Sequence, residues 1–462
     1  MGNKSILKPL SLILKLQALK TLHIFLILFT IPLLSISQEI SFDQHTVISD
    51  NLDGYGRPRI VLANNDNPLI IWRKDATPKV LKASKWNGSS FSAPYNILQT
   101  GILPSSWDGP EVASKGDTIY VVFTSLASTQ SSIMLIKSFD GGNTFSDTMR
   151  VSETLAGHKY RMANIEINDN GHPIVSYMQY LLNWLEPKQM VNISSDYGVT
   201  FNGAIEGSAL SPGEPCDCCK SSLVSKGSDI YLLYRNNENN IRNSYISKSS
   251  DGGLTFSTYN DMDDYQWILS SCPATTPRGS IVGDSILVVK RSGATGNNEV
   301  VFSNISLDNL TYSYNRNIDP VIGSIQNFPE VASSNDTVAV VWQDNRTNMQ
   351  NCYLSYSTNG SNNINNSICF TDSSKFGNKT DPDVEFSNGN IFLVYVNNTE
   401  HEIIFTKGSL NLISSNNFIL ENNLAKTNQI FDLNGQISTL KNNKTLIHFS
   451  KNGSIEKKII LE

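Results

Sequence analysis

The same eight-residue motif occurs three times in this chain at near-constant spacing. The octets are Ser138–Phe145, Ser194–Phe201 and Ser249–Phe256, and all three fit S-x-D-x-G-x-T-F. Their first residues are 56 and 55 residues apart. Regular spacing of this size is typical of repeat architectures. The Asp and Ser side chains can bond the backbone amides of a tight turn, and the Gly accepts a positive φ. Each octet is therefore interpreted as a turn between two strands.

Weaker copies extend the period in both directions. Ser84–Phe91 keeps the Ser, Gly and Phe of the motif but has Trp86 where the Asp belongs, and later copies begin at Ser303, Ser357 and Thr406. Short apolar segments alternate with turns before each copy, as in residues 110–137. Four short strands in about 50 residues are typical of one β-propeller blade. The sequence thus predicts an all-β propeller with seven visible repeats.

The C-terminus adds a partial repeat. We predict strands at Gln436–Leu440, Thr445–Ser450 and Ile455–Ile460, with His45–Ser49 supplying the fourth strand of the same blade. A shared blade of this kind would close the ring and remove its open edges. The prediction is eight blades, the N-terminal strand completing the last. Seven or six blades are the alternatives, and a tail starting near Ile430 also resembles a secretion-sorting segment.

The first 37 residues have the pattern of a signal peptide. Four lysines precede an apolar run at residues 22–34, and Ser35-Ile-Ser37 offers a small-x-small cleavage site. The run is too short for a comfortable transmembrane helix, and no other stretch could anchor the chain in a membrane. We expect a secreted or periplasmic protein whose residues 38–462 form the propeller. The net charge of −6 argues against a nucleic-acid partner.

The three octets resemble the Asp-box, or BNR, repeats of the sialidase superfamily. The resemblance covers nearly the whole mature chain and implies the propeller fold. It also implies that Asp140, Asp196 and Asp251 hold outer turns and have no catalytic role. Many Asp-box propellers are not sialidases, so the fold alone does not assign an activity.

The candidate site lies where the first strand of each repeat begins. Innermost strands line the channel of a propeller, and ligands bind at its mouth. Four of these strands start with Pro followed by a charged residue, and less regular repeats place further cations nearby. The predicted ring consists of Arg59, Glu111, Glu330 and Asp383, with Arg161, Lys220 and Arg278 close to it. The alternative is that these charges pair as salt bridges and close the channel.

The resemblance implies roles for some of these residues. Sialidases hold the sugar carboxylate with three arginines, use an Asp as the acid–base group, and use a Tyr supported by a Glu as nucleophile. Residues 55–60 resemble the family's aromatic-Arg-Ile-Pro opening, although Val61 stands where Pro is expected. The implied substrate-binding residues are Arg59, Arg73, Arg235 and Arg346, and the implied catalytic residues are Asp75 and Glu111.

The nucleophile is not assigned, because Tyr353 and Tyr395 are only nominees and cysteines stand where the supporting Glu belongs. Trp107 and Trp267, at the starts of neighbouring repeats, are candidate platforms for sugar rings. The expected ligand is a glycan or small anionic sugar, without a cofactor. An exo-glycosidase of sialidase type and a non-catalytic glycan- or protein-binding propeller both fit the sequence.

Four of the six cysteines are expected at the mouth. Cys216, Cys218 and Cys219 enter the fourth repeat, and Cys272 enters the fifth. Disulfides are the usual state in an exported protein, and we favour one bond from the triplet to Cys272. The alternative is a thiolate site for Cu(I) or Zn, which would make the chain a metal-binding propeller.

Overall fold

A computed structural model describes residues 39–411, except 99–100, 104–107, 126–129, 314, 361–363 and 365, and three later strands. The predicted signal peptide and Trp107 lie outside the described residues. The chain divides into one compact unit, Ser41–Leu410, and a second made of Met1–Ile40 and Asn411–Glu462. None of the described residues belongs to a helix long and apolar enough to cross a membrane.

The larger unit is a ring of seven antiparallel blades. Two strands precede the first complete blade: β1 (Glu39–Phe42) and β2 (Thr46–Ser49). Blade 1 contains β3 (Gly56–Ala63), β4 (Asn67–Lys74), β5 (Val80–Lys85) and β6 (Tyr95–Leu98). Blade 2 contains β7 (Glu111–Lys115), β8 (Thr118–Thr124), β9 (Ile133–Ser138) and β10 (Met149–Arg150). Blade 3 contains β11 (His158–Ile167), β12 (Pro173–Leu181), β13 (Lys188–Ile193) and β14 (Ile205–Glu206).

The later blades follow the same order. Blade 4 contains β15 (Glu214–Pro215), β16 (Ser222–Lys226), β17 (Asp229–Asn237), β18 (Ser244–Ser249) and β19 (Thr258–Asp261). Blade 5 contains β20 (Arg278–Val282), β21 (Ser285–Ser292), β22 (Glu299–Ser306) and β23 (Arg316–Asn317). Blade 6 contains β24 (Gln326–Ser334), β25 (Thr337–Asp344), β26 (Asn351–Ser357) and β27 (Ile368–Cys369). Blade 7 contains β28 (Lys379–Ser387), β29 (Asn390–Asn397) and β30 (Glu402–Asn411), with β2 and β1 beside β30.

The second strand of each blade is apolar on both faces. In β8 the residues from Ile119 to Phe123 are all buried, as are those from Val338 to Trp342 in β25. The reason is that a blade is covered on both faces by its two neighbours, so side chains of either orientation enter a core. The hydrophobic clusters accordingly lie between adjacent blades, for example Leu69 and Ile71 of blade 1 with Ile119 and Val121 of blade 2.

The prediction of eight blades is wrong, because the ring closes after seven. The N-terminal strand does complete the last blade: Val47 of β2 pairs with Ile404 of β30. The tail forms a three-stranded antiparallel sheet of its own: β31 (Gln429–Asp432), β32 (Thr445–Phe449) and β33 (Ile455–Ile459). The last two predicted tail strands therefore exist. The predicted strand at Gln436–Leu440 lies outside the described residues.

The Asp-box octets are tight turns between the third and fourth strands. In blade 2 the Ser138 hydroxyl accepts the Gly142 amide at 3.0 Å, while Asp140 accepts the Thr144 amide at 2.9 Å and its hydroxyl at 2.6 Å. Asp196 and Asp251 make the same bonds to Thr200 and Thr255. Glycine is required at position 142, where φ is +84° and a Cβ would lie 2.9 Å from Leu69. These acids stabilise the turns through local bonds.

Candidate functional site

One backbone irregularity recurs at the axial end of four first strands. The ladders of blades 1, 3, 6 and 7 each contain a bulge, and the residue inside it has a positive φ: Arg57, Met162, Phe328 and Asp381. In these four blades, the residue two positions after the one with positive φ pairs with an equivalent position of the second strand. In blades 2, 4 and 5 the first strand has a residue at the corresponding position without a bulge. The seven axial residues are Arg59, Glu111, Asn164, Ser222, Arg278, Glu330 and Asp383. Bulges commonly aim side chains at functional sites.

Glu111 is the centre of this ring. Its two carboxylate oxygens accept hydrogen bonds from Arg59 at 3.1 and 3.2 Å, from the Lys220 ammonium at 2.9 Å and from Arg278 at 3.2 and 3.4 Å. Arg59 and Arg278 also reach Glu330, at 3.3 and 2.8 Å. Asp383 accepts the amide of Ile60 in the neighbouring blade at 2.9 Å. Charges from five blades thus pair directly at the axis.

The mutual pairing fixes the ionisation of Glu111 and Arg59. Burial alone would raise the pKa of Glu111, but Arg278, Arg59 and Lys220 hold it well below its ordinary value. Burial opposes the charge of Arg59 as well, yet Glu111, Glu330 and Asp383 hold its pKa well above the ordinary value. A general acid must carry a proton near the working pH. The environment of Glu111 therefore suits a permanent anion that organises cations.

The ring leaves very little space at the mouth. The cavity bounded by Arg59, Lys220, Arg278 and Glu330 measures about 30 Å³. Pockets for small organic ligands typically measure about 300–1,000 Å³. The ion pairs expected as the alternative from sequence thus fill the centre of the mouth. A ligand the size of a sugar ring would have to contact the rim around them.

Arg73 and Asp75 lie on the mouth side of blade 1 and bond to each other. The Arg73 guanidinium donates to both oxygens of Asp75 and to the backbone carbonyl of Asp108. Arg73 is buried, whereas the Asp75 side chain is 49% exposed. Asp108 in turn lies 3.7 Å from the Lys220 ammonium, which connects this pair to the ring around Glu111.

Arg235 and Arg346 are bonded within their own parts of the ring. Arg235 is 1% exposed and donates to the carbonyls of Thr275, Arg242 and Arg291, with its guanidinium 4.9 Å from the Trp267 ring centroid. Arg346 bonds Asp344, Asp319 and Ser367 and lies over the Tyr353 ring. Among the described contacts, neither arginine reaches Arg59 or Glu111.

The two tyrosines nominated as nucleophiles are buried and packed against neighbouring residues. Tyr353 is buried beneath the guanidinium of Arg346, and burial raises its pKa to about 12. The Tyr395 hydroxyl accepts the Asp372 amide at 2.9 Å, and burial raises its pKa as well. Trp267 is likewise buried, between Arg235 and Arg291.

Sequence reasoning missed an aromatic residue on the rim of blade 3. Trp184, in the turn between β12 and β13, is 47% exposed. The Lys159 ammonium lies 3.0 Å from its ring centroid, and the Arg161 guanidinium lies 5.4 Å away. Burial, followed by repulsion from Arg161, lowers the pKa of Lys159. One feature of the sequence could have indicated this group. Lys159 and Arg161 stand at the start of the first strand of the third repeat, and Trp184 stands in the turn after its second strand.

The four mouth cysteines gather as expected. Cys218 and Cys272 form a disulfide between the loops that enter blades 4 and 5, which confirms the favoured bond from the triplet to Cys272. Cys216 and Cys219 are buried free thiols with their sulfur atoms 3.3 Å apart. A hydrogen bond from Cys219, assisted by Arg242 and Arg235, lowers the pKa of Cys216 to about 7.

The opposite opening of the channel has a different character. A cavity of about 520 Å³ is lined there by the ends of β3, β7, β11 and β28. Glu166 and Glu385 face it. Burial raises the pKa of each to about 8, and the neighbouring carboxylates Asp383 and Glu166 add to the effect at Glu385. The two openings thus differ in their charged residues. At the mouth, cations pair with the carboxylates, whereas Glu166 and Glu385 at the other opening have raised pKa values.

Solved structures with a similar fold were found for this chain at low sequence identity. No family profile and no curated protein sequence matches the chain. An ulvan lyase of a polysaccharide lyase family, bound to -[GlcA(1-4)Rha3S]-, superposes with a TM-score of 0.52 at 9% identity, over 78% of this chain and 95% of the lyase. A Trypanosoma rangeli sialidase has a TM-score of 0.45 at 12% identity, and the match covers 77% of this chain and about half, 54%, of the sialidase. A Dyadobacter fermentans protein of unknown function has a TM-score of 0.46 at 12% identity, over 80% and 99% of the two chains. The superposition on the ulvan lyase shows that the two chains share the propeller fold.

Proposed function

We propose that this chain is an exported, non-catalytic propeller that binds acidic glycans at the rim of its mouth. The observation that carries the proposal is the half-exposed ring of Trp184 beside the cations Lys159 and Arg161. Aromatic rings offer sugars a flat apolar face, and guanidinium groups bind carboxylates with paired hydrogen bonds. The combination suits a sugar that carries an anionic group.

The surroundings of Arg161 support an anionic ligand. Its Nε atom is buried without a hydrogen-bond partner among the described residues, and Asp108 lies 3.8 Å away. Two cations beside one ring repel each other, and an arriving carboxylate or sulfate would offset that repulsion. The ulvan lyase with the same fold binds an acidic oligosaccharide, but the proposal for this chain rests on its own rim.

The filled mouth argues for binding without hydrolysis. Glu111 is held as an anion by three cations, and the central cavity measures only about 30 Å³. Hydrolysis of sialidase type, with Arg59, Arg73, Arg235 and Arg346 as sugar contacts and Asp75 as the acid, stays a prediction. Export is supported by the Cys218–Cys272 disulfide, because such bonds persist in oxidising compartments.

The test is a binding titration of residues 38–462 with sialyllactose and oligoglucuronate, each compared with lactose, by calorimetry and tryptophan fluorescence. We expect the acidic sugars to bind more tightly than lactose. Trp184→Ala should weaken that binding at least tenfold, or about 1.4 kcal/mol. The matched control is Tyr197→Ala, since Tyr197 is 49% exposed in the Asp-box turn of the same blade.

Two results would contradict the proposal. Equal affinity of the wild type and the Trp184→Ala variant, with unchanged melting temperatures, would remove the rim as the binding site. Release of product from a fluorogenic sialoside would establish an exo-glycosidase. In that case Asp75→Asn should abolish turnover if Asp75 is the acid.

A further inference from the structure

The sulfur atoms of Cys216, Cys218, Cys219 and Cys272 all lie within 4.8 Å of one another. The Cys216 sulfur is 3.6 Å from that of Cys218 and 3.3 Å from that of Cys219. Four thiolates around one zinc ion, with Zn–S bonds of about 2.3 Å, place their sulfurs about 3.8 Å apart. Two separate loops, before β16 and before β20, thus bring four sulfurs close enough to share one metal ion once the Cys218–Cys272 bond is broken.

Two buried arginines, Arg242 and Arg235, and the half-buried Arg291 lie near this cluster. Arg242 donates to the Cys216 sulfur at 3.2 Å and to the Leu269 carbonyl. Arg235 donates only to backbone carbonyls, and Arg291 donates to the side-chain oxygen of Asn298. Across the described part of the chain, none of the three forms an ion pair with a carboxylate, and the Nε of Arg291 is buried without a partner. Within the described residues, the guanidinium groups near the cluster therefore lack a carboxylate at ion-pair distance.

The positive surroundings favour a state of the sulfurs that carries negative charge. A buried charge is costly unless a counter-charge accompanies it. Two disulfides would be neutral and would leave the arginines uncompensated. Four thiolates around zinc(II) carry a net charge of about −2, and two or three around copper(I) carry about −1 or −2. A metal–thiolate centre supplies the charge that this surrounding requires.

We propose that Cys216, Cys218, Cys219 and Cys272 form a thiolate site for a soft metal ion, zinc(II) or copper(I). The Cys218–Cys272 disulfide closes this site. A dithiol reductant opens it: the reductant is oxidised to its own disulfide while Cys218 and Cys272 each become a thiol. Binding of zinc by the four thiols then releases four protons, and binding of copper(I) releases one proton per ligating thiol.

The exposure of the cluster permits this exchange. Cys272 is exposed, and Cys218 lines the small cavity at the mouth, so a reductant and an ion can approach from that side. Cys216 and Cys219 are fully buried behind them. The metal would lie beside the axial ring.

The experiment uses the mature chain reduced with dithiothreitol and freed of it under nitrogen. Zinc(II) and copper(I) are added separately, and the bound ion is counted by elemental analysis after gel filtration against a competing chelator. We expect one tightly held ion per chain, and the arm with the higher affinity identifies the metal. Cobalt(II) in place of zinc should give the charge-transfer absorption of thiolate ligands.

Variants separate the site from incidental binding. Cys272→Ser changes an exposed residue and should lower affinity at least a hundredfold while the melting temperature of the reduced protein is retained. Cys216→Ser should do the same if it folds. The matched control is Cys369→Ser, since Cys369 is an exposed free cysteine in blade 6. The proposal is overturned if the reduced chain binds neither ion, or if Cys272→Ser binds as tightly as the wild type.

Discussion

Carboxylates occur both in the outer turns and at the axis of this propeller, and the two sets differ in how far along the chain their bonding partners lie. Asp140, Asp196 and Asp251 bond a Ser two residues earlier and a Thr four residues later. Glu111 at the axis bonds cations 52, 109 and 167 residues away. The outer acids stabilise a turn within one blade. The axial acid joins four blades, so the same chemical group serves local geometry at the edge and ring closure at the centre.

The axial carboxylates also differ among themselves. Cations hold the pKa of Glu111 below its ordinary value at the mouth, while burial raises the pKa of Glu166 and Glu385 to about 8 at the other opening. Burial opposes ionisation in both places. The two places differ in whether cations lie close enough to outweigh the effect of burial. Among these axial acids, only a carboxylate with such cations stabilises the fold as an anion.

The largest effect is expected at Glu111. Glu111→Gln removes the anion that Arg59, Lys220 and Arg278 share, which leaves three buried cations that the remaining acids, chiefly Glu330, offset only in part. Removing one partner of a buried ion pair typically costs about 3–5 kcal/mol. Chemical denaturation should show a loss of this size, while Glu214→Gln at an exposed position should show almost none. An equal, small loss in both would mean that water solvates the axial ring.

A smaller effect of opposite sign is expected at Glu385. Its folded pKa, about 8, lies above that of an unfolded Glu, so its ionisation destabilises the folded state. The wild type should lose stability as pH rises from about 4 to about 8, and Glu385→Gln should lose less, because Glu166 keeps its own raised pKa. We expect the variant to be more stable by about 1–3 kcal/mol at pH 8 and unchanged near pH 4.

The control is again Glu214→Gln, measured by urea denaturation at both pH values. A Glu385→Gln variant that is less stable than the wild type at pH 8 would show that the carboxylate has a favourable partner at this opening. The contrast between the two openings would then disappear.

The smallest effect is expected at the outer turns. Asp251→Asn keeps the shape of the side chain but weakens its bonds to the Thr255 amide and hydroxyl. The folded pKa of Asp251 is lowered to about 2, so its stabilisation is complete above the unfolded value near 4 and is lost as pH falls towards 2. The variant should melt at a slightly lower temperature at pH 7, and the difference should shrink at pH 3.

A difference that stays constant between pH 7 and pH 3 would show that the carboxylate charge does not contribute to the turn. Asp140→Asn, in the equivalent turn of blade 2, should respond in the same direction, because its bonds are the same. Agreement between the two turns would show that the Asp-box acts through local hydrogen bonds alone.

Much of the axial ring followed from the sequence, since Arg59, Glu111, Glu330 and Asp383 share the position after a strand-initial Pro. Asn164 and Ser222 occupy the same position in blades 3 and 4 but lack that Pro, so the pattern did not reveal them. Trp184 was missed for another reason. The exposure of Trp184 depends on the conformation of its turn, which places the ring beside Lys159 and Arg161. The spacing of the repeats does not predict the conformation of such a turn.

The sequence by itself determined the strand periodicity, the Asp-box turns and the approach of Cys272 to the cysteine triplet. Turns are readable because their hydrogen bonds join residues within about four positions, and strands because alternation and turn residues recur with each repeat. The tertiary structure decided the number of blades, since the tail strands pair with one another and β2 pairs with β30. It also decided which charges meet, because partners such as Arg278 and Glu111 are distant in sequence and only closure of the ring brings them together.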